Sequence, residues 1–344
     1  MVLAAMTNKQ SFDDGTLSDE EINWLLRRAE GGFGIITTAA SHVSQCGKSW
    51  EGEMGVWGDH QLRKLTELAS GIRQRGSIGL VQIFHGGLRA PRSLTSKQPV
   101  SASINLEKGV EEESRELSDS EIENLIQDFG NAAKRCEQAG FEGVEIHGAH
   151  GYLISQFLGK KTNRRKDRWG GELIDRSLFL RKIVECVRKN TSEEFLICVR
   201  ISPEHDVGIT IDESLGLSEL LVEMNIDILH ISCWDIFSSA SDDLDSKRTI
   251  TRRFSEILQN RIPLLTTGSI WNEEDGDFAL SEGADLVGVA RVAIAHPDWA
   301  NKIGKSDYSP IKPPFTPEHL MDVELSPIFI DYMRRWKGFV TDGK

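Results

Sequence analysis

The sequence predicts an α/β protein of the (β/α)8 TIM-barrel class. Three observations carry this. Eight short apolar runs alternate with amphipathic stretches along 344 residues. Several of those runs are apolar on both faces, as parallel strands covered by helices are. No G-x-G-x-x-G follows the first run, which disfavours the runner-up, a doubly wound open sheet. The length suits one barrel of roughly 250 residues plus insertions.

The strand-like runs fall at 2–6, 35–38, 77–83, 143–146, 195–201, 226–231, 264–267 and 286–289. Between them, 20–29 places Ile22, Leu25 and Leu26 on one helical face, and 121–139 does the same with Ile122, Leu125, Ile126 and Phe129. Further helical patterns cover 173–189, 213–223, 254–259 and 273–282. Ser18 with Glu21 and Ser118 with Glu121 each read as a capping box, closed by the staples Leu17/Ile22 and Leu117/Ile122. A polar insertion follows strand 3 at about 84–116, and its length marks it as a cap or binding loop. The division expected is a single-domain barrel over 1–304 and a C-terminal helical extension over 305–344. The extension starts Pro-rich, ends near Arg334, Arg335 and Trp336, and is expected to pack on the barrel or a neighbouring subunit.

Composition excludes several functions. Lys and Arg number 40 against 53 Asp and Glu, a formal net charge of −13. Such a chain lacks the electrostatic footprint for nucleic acid or an anionic membrane, though a local basic pocket for a small anion is allowed. Cys46, Cys136, Cys186, Cys198 and Cys233 are odd in number and widely spaced. They form no CxxC pair or Cys/His box, which disfavours a disulfide framework, a zinc site or an iron–sulfur cluster; no metal is expected. The start is too short and uncharged for a secretory signal and no run reaches bilayer length, so a cytoplasmic location is expected.

In a parallel barrel the active site lies at the carboxyl ends of the strands. The run ending at Ile146 leads into His147, His150 and Tyr152, separated by glycines. Two imidazoles three residues apart, with a phenol two further on, converge if the segment turns helically, and then donate hydrogen bonds to a carbonyl oxygen and offer a proton. A lone histidine there would more often be a structural hydrogen-bonding side chain; the cluster favours function. Arg200 ends strand 5 and reads as contact with an anion or reduced cofactor, or as a structural ion pair. Gln82 ends strand 3 and can pair with a donor and an acceptor of a heterocycle. Gly268 and Ser269 after strand 7, with Ala290 and Arg291 after strand 8, occupy the usual phosphate position of barrels. Thr7 after strand 1 and Thr38–Ala39 after strand 2 leave room for a flat ring.

The run from Gly140 to Leu158, followed by Asn163 to Gly171 and by Asp175 and Arg176, resembles the Old Yellow Enzyme family of FMN-dependent NAD(P)H oxidoreductases. Asp14 to Glu20, Arg28 to Gly32, Val199 to Pro203, Gly268, and Ala290–Arg291 with His296 to Asp298 agree with it, so the resemblance runs from Met1 to about Ala300. It implies a (β/α)8 barrel with FMN at its mouth and NADH or NADPH as hydride donor. By position it places Ala5, Met6, Thr7 and Ala39 beside the flavin ring, Gln82 at the pyrimidine edge and Arg200 near N1–C2. Gly268, Ser269, Ala290 and Arg291 fall on the phosphate. His147 and His150 would bind the carbonyl oxygen of an α,β-unsaturated substrate, flavin N5 would deliver hydride to its C=C bond, and Tyr152 would supply the proton.

The chain departs from the family's usual Pro at Ala5, Glu at Thr38 and Gly at Ala290; the last bears on the phosphate loop. Members usually carry a hairpin before strand 1, whereas strand 1 here begins at Val2, which predicts an exposed apolar barrel floor. A C-terminal Arg that reaches a neighbouring active site in some branches is similar to Arg334–Arg335. The implied partner is a small-molecule enone, compatible with a homo-oligomer. Two rivals stand beside the ene-reductase: a flavin-free phosphate-binding lyase or isomerase, and a non-catalytic flavin-binding sensor.

Overall fold

Eight parallel strands close into a barrel in the computed structural model, which describes residues 1–243 and 248–341. They are β1 (Val2–Leu3), β2 (Ile35–Thr37), β3 (Ile78–Phe84), β4 (Gly143–Gly148), β5 (Leu196–Ile201), β6 (Ile228–Ser232), β7 (Leu264–Thr267) and β8 (Leu286–Val289). Each strand pairs with its predecessor and β8 returns to β1. Around them run α1 (Asp19–Glu30), α2 (Leu62–Gln74), α3 (Asp119–Ala139), α4 (Leu178–Asn190), α5 (Ile211–Glu223), α6 (Ile250–Leu258), α7 (Glu273–Ser281) and α8 (Arg291–Ala295). Two short helices, Pro317–Asp322 and Pro327–Arg334, follow; residues 342–344 of the extension lie outside the described residues.

Strand register sorts the barrel interior into layers, because alternate side chains share one face. Val2, Ile35, Leu80, Cys198, Ile228 and Leu265 form a buried apolar floor. Above it Gln82 stands opposite Glu145, and His147 opposite Arg200, which itself stands opposite His230. Each of those six residues is 8 % exposed or less, whereas Met1, just before β1, is exposed. Ile78, at a strand start, is open.

Several boundaries differ from the sequence reading. β1 stops at Leu3, because β8 ends at Val289 and the Ala4 amide makes the last bond to its carbonyl at 3.0 Å. Ala5, Met6 and Thr7 therefore lie in the loop beyond. β4 continues to Gly148 because β5 offers Arg200 and Ile201 as partners. Gln82, His147 and Arg200 consequently sit within strands rather than at or after their ends. The pattern at 173–189 divides into Leu173–Arg176 and α4. α2 had no sequence signal at its start: Gln61 precedes it without a side-chain cap.

Only one capping box forms of the two expected. Ser118 accepts from the Glu121 amide, and the Glu121 carboxylate accepts from the Ser118 amide at 2.9 Å. Ser18 does cap α1, but the Glu21 carboxylate turns away and accepts from Asn8 at 2.8 Å and Ser11 at 2.5 Å. A buried carboxylate takes the donors that satisfy it best. Ser118→Ala is expected to cost about 1 kcal/mol; thermal unfolding would then show a Tm lower by about 2–4 °C, and an unchanged Tm would contradict it.

Fully buried Arg28 of α1 fastens the extension. Its guanidinium donates to the carbonyls of Ala293 (3.1 Å), Ile294 (2.7 Å) and Val323 (2.8 Å). Trp24 packs edge-on against Phe329 at 5.3 Å between ring centroids. The last helix is thereby held against the chain's own barrel.

Candidate active site at the barrel mouth

β4 supplies the centre of the site. His147 is its penultimate residue, and the chain then leaves the sheet through His150 and Gly151 at φ of +62° and +77°. The expected helical turn is absent, because β4 keeps its ladder through Gly148. This left-handed turn still brings the rings together: His147 lies 5.0 Å from His150 and 5.2 Å from Tyr152 between centroids. Phe84, at the end of β3, meets Tyr152 edge-on at 5.0 Å, and Trp50 stacks on Phe84 at 5.4 Å.

Burial sets the protonation of this trio. It lowers both imidazoles well below the usual histidine range, and the Arg200 charge adds to that. Both rings are therefore neutral near pH 7. Burial pushes the Tyr152 phenol up to about 12, with Arg89 opposing, so it keeps its proton. His147 Nδ1 is buried without a partner. His150 Nε2 lies 2.7 Å from Ser232 Oγ, which accepts from Arg200 at 3.0 Å. When the Ser232 hydroxyl donates to His150 Nε2, the neutral ring carries its proton on the other nitrogen.

A second group lies one layer deeper. The Glu145 carboxylate accepts from Gln82 Nε2 at 2.6 Å and meets His230 Nδ1 at 2.6 Å. Burial alone would raise its pKa; His230, Arg200 and Gln82 outweigh that and bring it to about 2. An ionised carboxylate only accepts, so His230 donates through Nδ1 and its Nε2 accepts from Thr267 Oγ1 at 3.1 Å. The same bond orients the Gln82 amide with its oxygen left to accept. Arg200 Nε is buried without a partner. Glu145, Cys198 and His230 offer ligand atoms within 4.8 Å of one another, but the carboxylate is engaged by His230 and Gln82, and burial holds the thiol protonated.

At the opposite rim, a Cβ on Gly268 would stand 2.3 Å from the Cys233 carbonyl, so only glycine fits there. Ser269 follows at φ +56° and accepts from Arg291 at 3.2 Å. Ala290 has φ −123°, a backbone that needs no glycine, and precedes α8. Thr38 Oγ1 accepts from the Gln82 backbone N–H at 3.2 Å and donates to the Ala39 carbonyl at 2.9 Å.

The structure thus gathers His147, His150, Tyr152, Gln82 and Arg200 at one end of the barrel. Gly268, Ser269, Ala290 and Arg291 stand together at the ends of β7 and β8. Sequence reasoning missed Glu145, His230 and Ser232. Their signal was present: each is polar and two residues from another polar residue within an apolar run. It also missed Lys9, Trp50, Arg89 and Tyr332, which with Tyr152 and Arg335 line a cavity of about 280 Å³. Arg335 lines this cavity within its own chain.

Comparison with known proteins agrees with this architecture. Residues 1–309 match the model of the NADH:flavin oxidoreductase / NADH oxidase family. The chain is 36 % identical over 309 residues to a probable NADH-dependent flavin oxidoreductase, YqiG, of Bacillus subtilis, covering 88 % of this chain and 83 % of that one. It is 33 % identical to the NADH:acrylate oxidoreductase of Vibrio harveyi over 88 % of its own length but 31 % of that protein's. Its fold matches an old yellow enzyme homologue from Zymomonas mobilis with a TM-score of 0.82 at 24 % identity, covering 94 % of each chain. Among the described residues no helix is long and apolar enough to cross a membrane.

Proposed function

The chain belongs to the NADH:flavin oxidoreductase / NADH oxidase family, and on that premise we propose that this oxidoreductase reduces the C=C bond of α,β-unsaturated carbonyl compounds. Its cofactors are FMN and a nicotinamide dinucleotide. When bound, FMN supplies the hydride chemistry, accepting a hydride from NADH or NADPH and giving one to the alkene.

The residues present fit that group. The buried, unpartnered Arg200 Nε–H is a cationic donor suited to the electron-rich N1–C2 edge of a reduced flavin. Gln82, its amide oriented by Glu145, presents an acceptor to the pyrimidine edge. Ala5, Met6, Thr7 and Ala39 would border the ring. Gly268, Ser269, Ala290 and Arg291 would hold the phosphate with backbone amides and one guanidinium.

The observation that carries the catalytic reading is the convergence of two neutral imidazoles and one protonated phenol. His147 and His150 each have an N–H to donate to a carbonyl oxygen. As charge builds on that oxygen, fixed donors in a buried site stabilise it more than water does. This polarisation leaves the β-carbon electron-poor. Tyr152 holds the proton required at the α-carbon, and its high pKa keeps that proton in place until carbanion character develops.

The test is the visible spectrum of the purified protein, loaded with FMN if pale, followed by anaerobic NADH or NADPH and then 2-cyclohexenone. The expected result is a flavin band that the nicotinamide bleaches and the enone restores. A protein that takes up no FMN would overturn the site assignment. One that bleaches but is reoxidised no faster by the enone than by buffer would overturn the C=C reading and leave a flavin-binding sensor or a different electron acceptor.

A further inference from the structure

The cavity beside Tyr152 carries a charge that a neutral enone does not use. Lys9, Arg89 and Arg335 all line it, and none of its lining residues is acidic. Among the described residues, neither Lys9 nor Arg335 has a carboxylate within ion-pair distance; both rest on the ring of Tyr332, at 5.7 and 5.2 Å from its centroid. Arg335 also donates to the Tyr332 hydroxyl at 3.3 Å. Arg89 is fixed by the His150 carbonyl at 2.6 Å and by Glu107 at 3.1 Å, and lies over the Tyr152 ring at 5.5 Å. Its Nε–H is nonetheless buried without a partner.

Three cations and one carboxylate partner leave an excess of positive charge at this mouth, in a chain whose net charge is −13. A cluster of this kind concentrates anions. Its position is informative. Tyr152 forms a wall of both the cavity and the histidine cluster, so an anion here lies a side chain's breadth beyond the group held by His147 and His150. Aromatic walls from Trp50, Tyr152 and Tyr332 suit a flat, conjugated body between the two ends.

We propose that the preferred substrate is an alkene that carries a carboxylate beyond its activating carbonyl, an oxo-enoate, with Lys9, Arg89 and Arg335 as the specificity-determining residues. The carbonyl oxygen sits on the histidine pair and the carboxylate points to the cations. Arg89, held in place by the His150 carbonyl and Glu107, has its Nε–H left for this end, while Lys9 and Arg335 add charge from opposite ends of the chain. This rests on the enone-reducing reading above. The same anionic chemistry has one other source at this mouth, the phosphates of the nicotinamide dinucleotide.

The experiment compares 4-oxohept-5-enoate, CH3–CH=CH–CO–CH2CH2–COO⁻, with its carboxamide on the oxidised, FMN-loaded protein. Dissociation constants come from the shift of the flavin band and from calorimetry. The acid is expected to bind roughly tenfold tighter than the amide, the size of one charge-assisted hydrogen bond, and to lose that advantage as salt rises. Lys9→Met and Arg335→Met should each weaken the acid several-fold and leave the amide within about twofold, while Arg335→Lys keeps most of the preference. Equal affinities for acid and amide would overturn the proposal. So would variants that raise the half-saturating NADH concentration for flavin bleaching and spare the acid, which would give the cations to the dinucleotide phosphates. Tight acid binding without turnover of any enone would sink the C=C reading and leave the anion pocket standing.

Discussion

The double substitution His147→Ala, His150→Ala is expected to lower kcat/KM for a cyclic enone by at least the roughly 10²–10³-fold that one such donor is worth. Burial keeps both rings neutral, so each acts as an uncharged N–H donor to the substrate oxygen. Bound flavin should be retained, since the residues assigned to it stand on other strands and loops. The single substitutions His147→Asn and His150→Asn keep an N–H donor and should recover part of the loss. Neutral imidazoles also predict a pH–rate profile flat from about pH 5.5 to 7.5, where an ordinary histidine titrates. Steady-state and stopped-flow reoxidation of the flavin would measure all of this. A loss below tenfold in the double variant, or a step in the profile near pH 6.5, would remove the histidines from the role of carbonyl donors.

The second large effect is on stability. Glu145→Ala should cost about 3–5 kcal/mol, the range for removing one partner of a buried ion pair. Three groups lose their partner at once: the Gln82 amide, the His230 ring and the Arg200 charge. The Tm should fall on the order of 10 °C. Acid provides a check with a definite sign. The Glu145 carboxyl is depressed from 4.5 to about 2 in the folded protein, so its contribution is present above pH 4.5 and is lost as the pH falls towards 2. The gap in stability between wild type and variant should therefore be full at neutral pH and shrink across that interval. A gap that stays constant would show that the carboxylate's charge contributes nothing. Glu145→Gln, which keeps the shape and one acceptor oxygen for Gln82, should lose less stability than Glu145→Ala.

These effects arise from residues legible in the sequence to different degrees. All eight strands were visible because a parallel strand covered on both faces must be apolar, whatever surrounds it. α3 was visible because Ser118 and Glu121 satisfy each other within three residues. α2 was not, because its first turn has no cap and its only mark is a face of leucines shared with many other segments. At Ser18 only half of the expected box forms, for a related reason: a distant pair, Asn8 and Ser11, outcompetes the local partner for Glu21.

The candidate site divides along the same line. His147, His150 and Tyr152 are close in sequence, and the turn after β4 suffices to bring their rings together. Gln82 and Arg200 were identifiable as polar residues in apolar runs. By itself the sequence determined the barrel, the cluster after its fourth strand and the flavin family that the cluster resembles. Each of these depends on periodicity or on neighbours a few residues apart. Tertiary structure alone decided that Glu145 holds Gln82, that Ser232 sets the His150 ring, and that Lys9, Arg89 and Arg335 share one cavity. Those partners are brought together only when the barrel closes and the last helix docks on α1, and side-chain chemistry across such separations leaves no local pattern to read.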